Sequence, residues 1–486
     1  MFKKTITLVL LSLFIVTASY ALEFEANGYY RIRMFNSWGG GGGDDGMTLY
    51  NFGNIEDDDD FDQYIEQRTG LQLTADNGDG IKGVVFFEMG DAMWGDENSY
   101  ARVGGGDNSA DVEVLNAYIE IDKWLYAKLG VFQLDTPNSV IFSQETAGIL
   151  IGKDFDNFGV NFLYSRLYDG GYDKVGYDND DNGDLYGVMV PMKTDYFNVT
   201  PYFLYSHVSH NGHLYSYDTV GNLVDMYQGD LIDEYSVNRN YTIMGKSFSD
   251  DSFHTTFNDM DAFWIGAAFD GRIPYGNGID WKLHGVYGSA EVDARTGSDL
   301  EMEGFLIDGS LTYIYDRYKF DVYGLYSSGF DGGDYDDRDL GIMPTISPDY
   351  MVYGTYATFF FDSLALASYA YDPTGFSMIG GQVTFNTTES LKHIFDVAYI
   401  WNMIDEDVIS SDRENILRDQ PSTFNQRYMY DGFVQIALVS EYQLLEGTTL
   451  SMLAGALIPE ANRDAEGRKF EDDTVYALNF KFQYNF

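Results

Sequence analysis

The last thirteen residues, Thr474 to Phe486, put Tyr476, Leu478, Phe480, Phe482, Tyr484 and Phe486 at every second position. Val475, Ala477, Asn479, Lys481, Gln483 and Asn485 stand between them. Successive side chains of a strand point to opposite faces, so this segment predicts a strand with one apolar face and one mostly wetted face. A strand built that way must lay its apolar face against something other than water.

The same period recurs along the whole chain in segments of about 10 to 15 residues. The predicted strands are 22–35, 62–75, 80–90, 111–121, 124–134, 145–154, 157–167, 184–193, 196–208, 260–272, 280–292, 302–315, 318–329, 375–387, 391–403, 431–445, 448–459 and 474–486. That is eighteen strands, with sixteen or twenty as alternatives. The segment Tyr350 to Tyr371 would supply the extra hairpin; it is read as a loop element, because an external segment there keeps every neighbour in phase. Tight polar turns (Asp76 to Gly80, Asp122-Lys123, Asp154 to Asn157, Lys193 to Asp195, Pro274 to Gly278, Asp316-Arg317, Thr388 to Ser390, Glu446-Gly447) alternate with long acidic connections. Both termini then fall at the short-turn end, and the long connections all fall at the other.

At the amino terminus, Lys3 and Lys4 precede the apolar run Ile6 to Val16 and the small-residue site Ser19-Tyr20-Ala21. This reads as a secretory signal peptide over 1–21, leaving 22–486 as one domain that starts at Leu22. Its apolar core is short for a spanning helix, which needs roughly 20 apolar residues, and no later stretch supplies them.

Composition removes whole classes of function. With no cysteine there are no disulfides, no cysteine-ligated zinc or iron–sulfur cluster and no covalently attached haem. A formal charge of −48, from 29 basic against 77 acidic residues, excludes nucleic acid as a partner. Aromatics at 17%, with 40 Tyr and 35 Phe, exclude an acidic disordered chain. The combination of 52 Gly, 9 Pro and abundant Tyr suits a transmembrane barrel, which uses aromatics as interfacial girdles and Gly and Asp in turns. In hydrocarbon every backbone N–H and C=O must be paired, and for strands only closure into a barrel does this. The expected fold is therefore all-β: a transmembrane antiparallel β-barrel too wide for its own side chains to fill.

Strand phase gives the lumen. In 22–35, Phe24, Ala26, Tyr30, Ile32 and Met34 face outward, which turns Glu25, Asn27, Arg31 and Arg33 inward. Glu66, Arg68 and Gln72 point inward next door, Glu120 between Ile119 and Ile121, and Lys128 against an outward row of Leu125, Ala127 and Leu129. The last strand must close against the first, so Lys481 joins Arg31, Arg33 and Arg68 on one wall. These cations, with Glu66, Glu120 and Lys128, are the expected pore-lining constriction. Lumenal charges are also what any water-filled bore collects, since lipid rejects them at about 2 to 4 kcal/mol each near its midplane.

Three further groups call for weighing. Oxygen-rich loops at Asp57 to Asp60, Asp178 to Asp184 and Asp331 to Asp339 suit calcium, and Asp178, Asp180, Asn182 and Asp184 are the candidate ligands; position twelve of an EF-hand count is Met189, so that motif is incomplete. His207, His210 and His213 lie three apart, a poor helical spacing for a transition metal. His284 faces the lumen beside Lys282, and His393 faces outward between Leu391 and Phe395. No histidine sits in a nucleophile motif, so no catalytic residue and no cofactor beyond loop-bound calcium are expected.

The terminal aromatic strand, in which Tyr484 and Phe486 form the assembly signal read by the barrel-assembly machinery, resembles the C-terminal signature of bacterial outer-membrane barrels. Together with the leader, and with Arg31 and Arg33 answered by Glu66-Gln67-Arg68-Thr69-Gly70-Leu71, the chain resembles the large porin-like proteins near the alginate-export family. The resemblance implies eighteen strands, periplasmic termini, a charged lumen, and outer-membrane lipid and lipopolysaccharide as surroundings; a homotrimer is compatible with the same outward face. The expected function is a porin passing small hydrophilic solutes or ions. The alternatives are a partner-binding barrel, such as a sheath for an electron-transfer cytochrome, and an exporter of an anionic polysaccharide.

Overall fold

Each of the eighteen predicted segments contains strand. Eighteen antiparallel strands form the barrel wall: β1 (Glu23–Trp38), β2 (Phe61–Asp76), β3 (Ile81–Met93), β4 (Val112–Asp122), β5 (Tyr126–Asp135), β6 (Ser143–Asp154), β7 (Gly159–Asp169), β8 (Asn182–Met189), β9 (Phe197–Val208), β10 (Phe257–Ile273), β11 (Ile279–Ala294), β12 (Leu300–Tyr315), β13 (Tyr318–Ser327), β14 (Phe376–Asn386), β15 (Leu391–Asn402), β16 (Gly432–Leu445), β17 (Thr448–Glu460) and β18 (Val475–Asn485). The two-residue pieces Met192–Lys193 and Asp339–Leu340, the latter parallel to Glu301-Met302, join the same sheet. The computed structural model describes 23–38, 61–94, 112–169, 182–208, 257–274, 277–294, 300–329, 339–341, 343–346, 375–403, 432–460 and 474–486, with four short strands between 215 and 249. Tyr350 to Tyr371, Asp57 to Asp60, Asp178, Asp180, His210 and His213 lie outside the described residues.

Each strand pairs with its sequence neighbour, and β1 pairs with β18 (Tyr29↔Asn485, Arg33↔Lys481, Met34↔Phe480), which closes the barrel. The seam is locked at its end by two backbone hydrogen bonds: Gly28 N–H donates to the Phe486 carbonyl, and Phe486 N–H to the Gly28 carbonyl. The expected single strand over 184–193 is interrupted at Val190-Pro191, because proline has no N–H for the ladder; Met192–Lys193 resumes pairing with β9. The short turns, Glu23 and Phe486 share one end. In the first turn, Gly78 and Gly80 adopt φ of 69° and 72°, and the Asn77 side chain accepts from Asp79 N and Ile81 N.

Gly28 is needed for close approach. A Cβ there would stand 2.4 Å from the Gly70 carbonyl oxygen and 2.6 Å from the Phe486 ring, so the terminal aromatic occupies the space that a side chain would take. Gly28→Val is expected to destabilise the folded barrel by about 1–3 kcal/mol through overpacking. A lowered urea midpoint in lipid vesicles checks this.

The exterior is that of a membrane-spanning barrel. Exposed Phe203, Ile265, Ile307, Val322, Ile379 and Phe480 belong to a continuous apolar band. Trp124, Tyr196, Tyr315 and Phe486 are exposed toward the short-turn end, and Trp94, Tyr186, Tyr326 and Tyr476 toward the long-loop end. Two aromatic girdles around an apolar band is the exterior that a bilayer selects. Among the described residues no helix is long and apolar enough to cross a membrane.

Candidate functional site: a charged lumen wall and an inward clip

The first wall is built by β18, β1 and β2. Register places Lys481 beside Arg33, Arg33 beside Glu66, and Arg31 beside Arg68, all on the inner face. Arg33 makes an ion pair with Glu66, and Arg31 Nη2 stands 3.8 Å from the same carboxylate. Glu88 on β3 extends the cluster: Arg68 Nη1 is 3.2 Å from it, and Tyr29 Oη donates to it at 3.0 Å. The three arginines show side-chain exposures of 13%, 15% and 26%, partly sheltered but still wetted. Like charges abreast on neighbouring strands oppose one another, and the two carboxylates together with lumenal water offset that repulsion. The inward cations therefore come together as expected from phase, whereas Glu88 emerges from the pairing of β2 with β3.

Glu120 and Lys128 are register partners on the inner faces of β4 and β5. Lys128 turns to two aromatic rings rather than to Glu120. Its ammonium lies 4.3 Å from the Tyr118 ring centroid and 5.1 Å from that of Phe132, and Glu120 accepts from Tyr126 Oη at 3.4 Å. The two rings offer negative faces in a partly desolvated corner, which suits the cation.

The opposite wall is covered. The connection 136–142 between β5 and β6, expected to lie outside, turns into the bore instead. Thr136 closes it on itself: its hydroxyl donates to the Phe142 carbonyl at 3.0 Å and accepts from Ile141 N at 3.3 Å and Phe142 N at 3.1 Å. Val140, Ile141 and Phe142 are buried. Asn138 Nδ2 donates to Asp308 Oδ2 on β12 at 2.8 Å. Strands β6 and β12 are six positions apart around the wall, so this contact runs through the lumen. Residues 343–346 form the other half of the clip. Ile346 N donates to the Ile141 carbonyl at 3.0 Å, Trp264 Nε1 donates to the Pro344 carbonyl at 2.8 Å, and Met343 is fully buried. This second piece falls within 330–374, a segment long enough to fold inward.

Beneath the clip lies a buried polar cluster. His284 has Tyr202 Oη 2.8 Å from Nε2 and Asp308 Oδ2 3.4 Å from Nδ1. Neighbouring strands bury Asp321 and Asp396. Tyr323 Oη donates to Asp396 at 2.8 Å, Gln435 Nε2 donates to it at 2.9 Å, and Lys319 Nζ stands 3.1 Å from Asp321. Inward phase at 308, 321 and 396 was the available signal for these carboxylates.

The calcium candidates are divided. Asp184 is held by Arg166 at 2.6 Å and by Tyr164 Oη at 3.0 Å, so its carboxylate is already engaged in a strand-to-strand ion pair. Asn182 lies in β8, and Asp178 and Asp180 are outside the described residues. His207 pairs with Asp261 at 2.8 Å on the outer face, and among the described residues no cluster of three or more His, Cys, Asp or Glu could hold a metal. His393 faces outward as expected, 2.8 Å from Ser440 Oγ.

No protein-family model matches the sequence, and no curated protein does. Solved structures match by fold. A crystal structure of OpdO from Pseudomonas aeruginosa superposes with a TM-score of 0.51 at 10% identity, covering 96% of this chain and 97% of that one. This chain folds as an eighteen-strand porin-like barrel. A second structure, of OccK3 (OpdO) from the same organism, gives 0.50 at 9% identity over 95% and 96%. The outer membrane protein OprD of Pseudomonas aeruginosa gives 0.49 at 12% identity over 96% and 95%. The expected kinship with the alginate-export family finds no support in these matches. Its carriers, an inward arginine pair and an aromatic-terminated strand, follow from closing and wetting any large barrel, so they do not mark one lineage.

Proposed function

We propose that this protein is an outer-membrane channel for passive diffusion of small hydrophilic solutes or ions, with its selective region between the β18–β1–β2 wall and the inward clip. The carrying observation is a closed barrel whose inner face concentrates Arg31, Arg33, Arg68 and Lys481 on one side while a folded segment narrows the other. At the level of the cluster, four cations against the two carboxylates Glu66 and Glu88 leave the wall formally positive. A partly sheltered, one-sided field of this kind orients dipolar solutes and favours anionic groups at the narrow level. The clip also occupies bore that a threaded cytochrome or a bulky polysaccharide would need, which favours small solutes over a sheath or an exporter.

The test is single-channel recording of purified protein in planar bilayers under a potassium chloride gradient. Steady conductance with a defined reversal potential is expected; a silent bilayer at any voltage overturns the reading. Export through a cleaved leader belongs to the same proposal, and amino-terminal sequencing of protein from outer-membrane fractions is expected to begin at Leu22. Calcium at the Asp178 to Asp184 loop would require Asp184 to leave Arg166.

A further inference from the structure

The clip raises a question that the channel reading leaves open: what holds it at its distance across the bore. Its backbone is strained at the tip, where Asn138 and Ser139 adopt φ of 57° and 54°, a left-handed region that costs residues with a Cβ. The tip's described anchor on the far wall is the hydrogen bond from Asn138 to Asp308. Asp308 is itself costly, because it is buried and its Oδ1 has no hydrogen-bond partner among the described residues. A buried carboxylate with an unsatisfied oxygen is a poor way to stabilise a barrel wall. A local rule broken without a stability gain points to a role elsewhere.

We propose that Asp308 is the positioning residue of the constriction. Its carboxylate, steadied by His284, holds Asn138, and so fixes how far the tip of segment 136–142 stands across the bore; that tip then acts as a releasable gate. This inference rests on the channel reading. His284 fits the role sterically. Nδ1 faces Asp308 and Nε2 faces Tyr202, so the imidazole spans β9 to β12 and fixes the carboxylate's orientation. The strained tip supplies the drive to relax once the anchor is lost. Apolar burial of Val140, Ile141 and Phe142 opposes release and confines it to the tip.

Two variants delete opposite ends of the contact: Asp308→Ala, and Asn138→Gly, which keeps the left-handed backbone while removing the amide. In planar bilayers each is expected to raise occupancy of a larger-conductance state roughly tenfold, the scale set by losing one charge-assisted hydrogen bond. The double variant is expected to add nothing beyond either single one. A second readout does not depend on conduction. Because the chain has no cysteine, Ser139→Cys introduces a single thiol at the tip. Its labelling by a membrane-impermeant maleimide is expected to be roughly tenfold faster with Asp308→Ala than with Asp308 intact. Unchanged conductance states and unchanged labelling would show that apolar packing alone holds the segment, and would overturn the proposal. Silent wild-type bilayers with accelerated labelling would remove the channel reading and leave the positioning role of Asp308 standing.

Discussion

Arginine at Leu478 or at Phe480 is expected to block assembly of the barrel, whereas arginine at Gln483 is expected to leave it intact. The three positions lie within six residues on β18, so chain location, synthesis and proximity to the carboxyl terminus are shared. Facing differs. Leu478 and Phe480 are outward, opposite Ala454 and Met452 of β17, and Phe480 remains 39% exposed on the lipid-facing band. Gln483 is inward, opposite Arg31 and Thr449. A guanidinium near the bilayer midplane costs about 2–4 kcal/mol, a large share of the 5–15 kcal/mol by which folded domains are typically stable. In the lumen the same group stays hydrated. Heat-modifiable gel mobility after refolding into lipid vesicles measures the outcome. Equal folded yields from all three variants would sink the assignment of faces, and with it the lumen wall.

Replacing Arg31 and Arg33 together by alanine is expected to move the reversal potential toward cation preference. The wall then holds two cations, Arg68 and Lys481, against Glu66 and Glu88, and its formal excess of positive charge disappears. A unit charge acting over a few ångström in partly screened water is worth about 1 kcal/mol, so the cation-to-anion permeability ratio should rise roughly fivefold. Glu66 loses its ion pair with Arg33 in this variant, and a lumenal carboxylate freed in that way adds to the same shift. An unchanged reversal potential with conductance intact would place the filter elsewhere, most directly at the clip. Raising the salt concentration should shrink the difference between the two proteins, since the Debye length falls from about 10 Å at 0.1 M to about 3 Å at 1 M.

The eighteen strands were legible because the period of two is a local property. A strand that must present one face to lipid and one to water records that requirement at every position, and the record survives even where loop lengths are irregular. Arg31, Arg33, Arg68 and Lys481 could be placed on one wall for the same reason, with one added step: a barrel has no edges, so the first and last strands must be neighbours. Pro191, which splits one expected strand, was a signal present in the sequence and outweighed there by the alternation around it.

What escaped were the contacts made across the bore. Thr136 to Phe142 is a short stretch with no alternation, and nothing local distinguishes a connection that turns out from one that turns in. Its direction is decided by Asp308, His284, Trp264 and residues 343–346, which come near it only once the sheet has closed. Lys128 shows the same limit on a smaller scale. Phase pointed it inward correctly, but whether it met Glu120 or the rings of Tyr118 and Phe132 depended on the twist between two strands. The alternation of the chain by itself therefore determined the barrel and which residues of each strand face inward, because bilayer and water act on each residue separately; it left sixteen, eighteen and twenty strands open. The clip across the bore and the buried polar cluster were decided only by tertiary structure, because those contacts join residues that closure alone brings together.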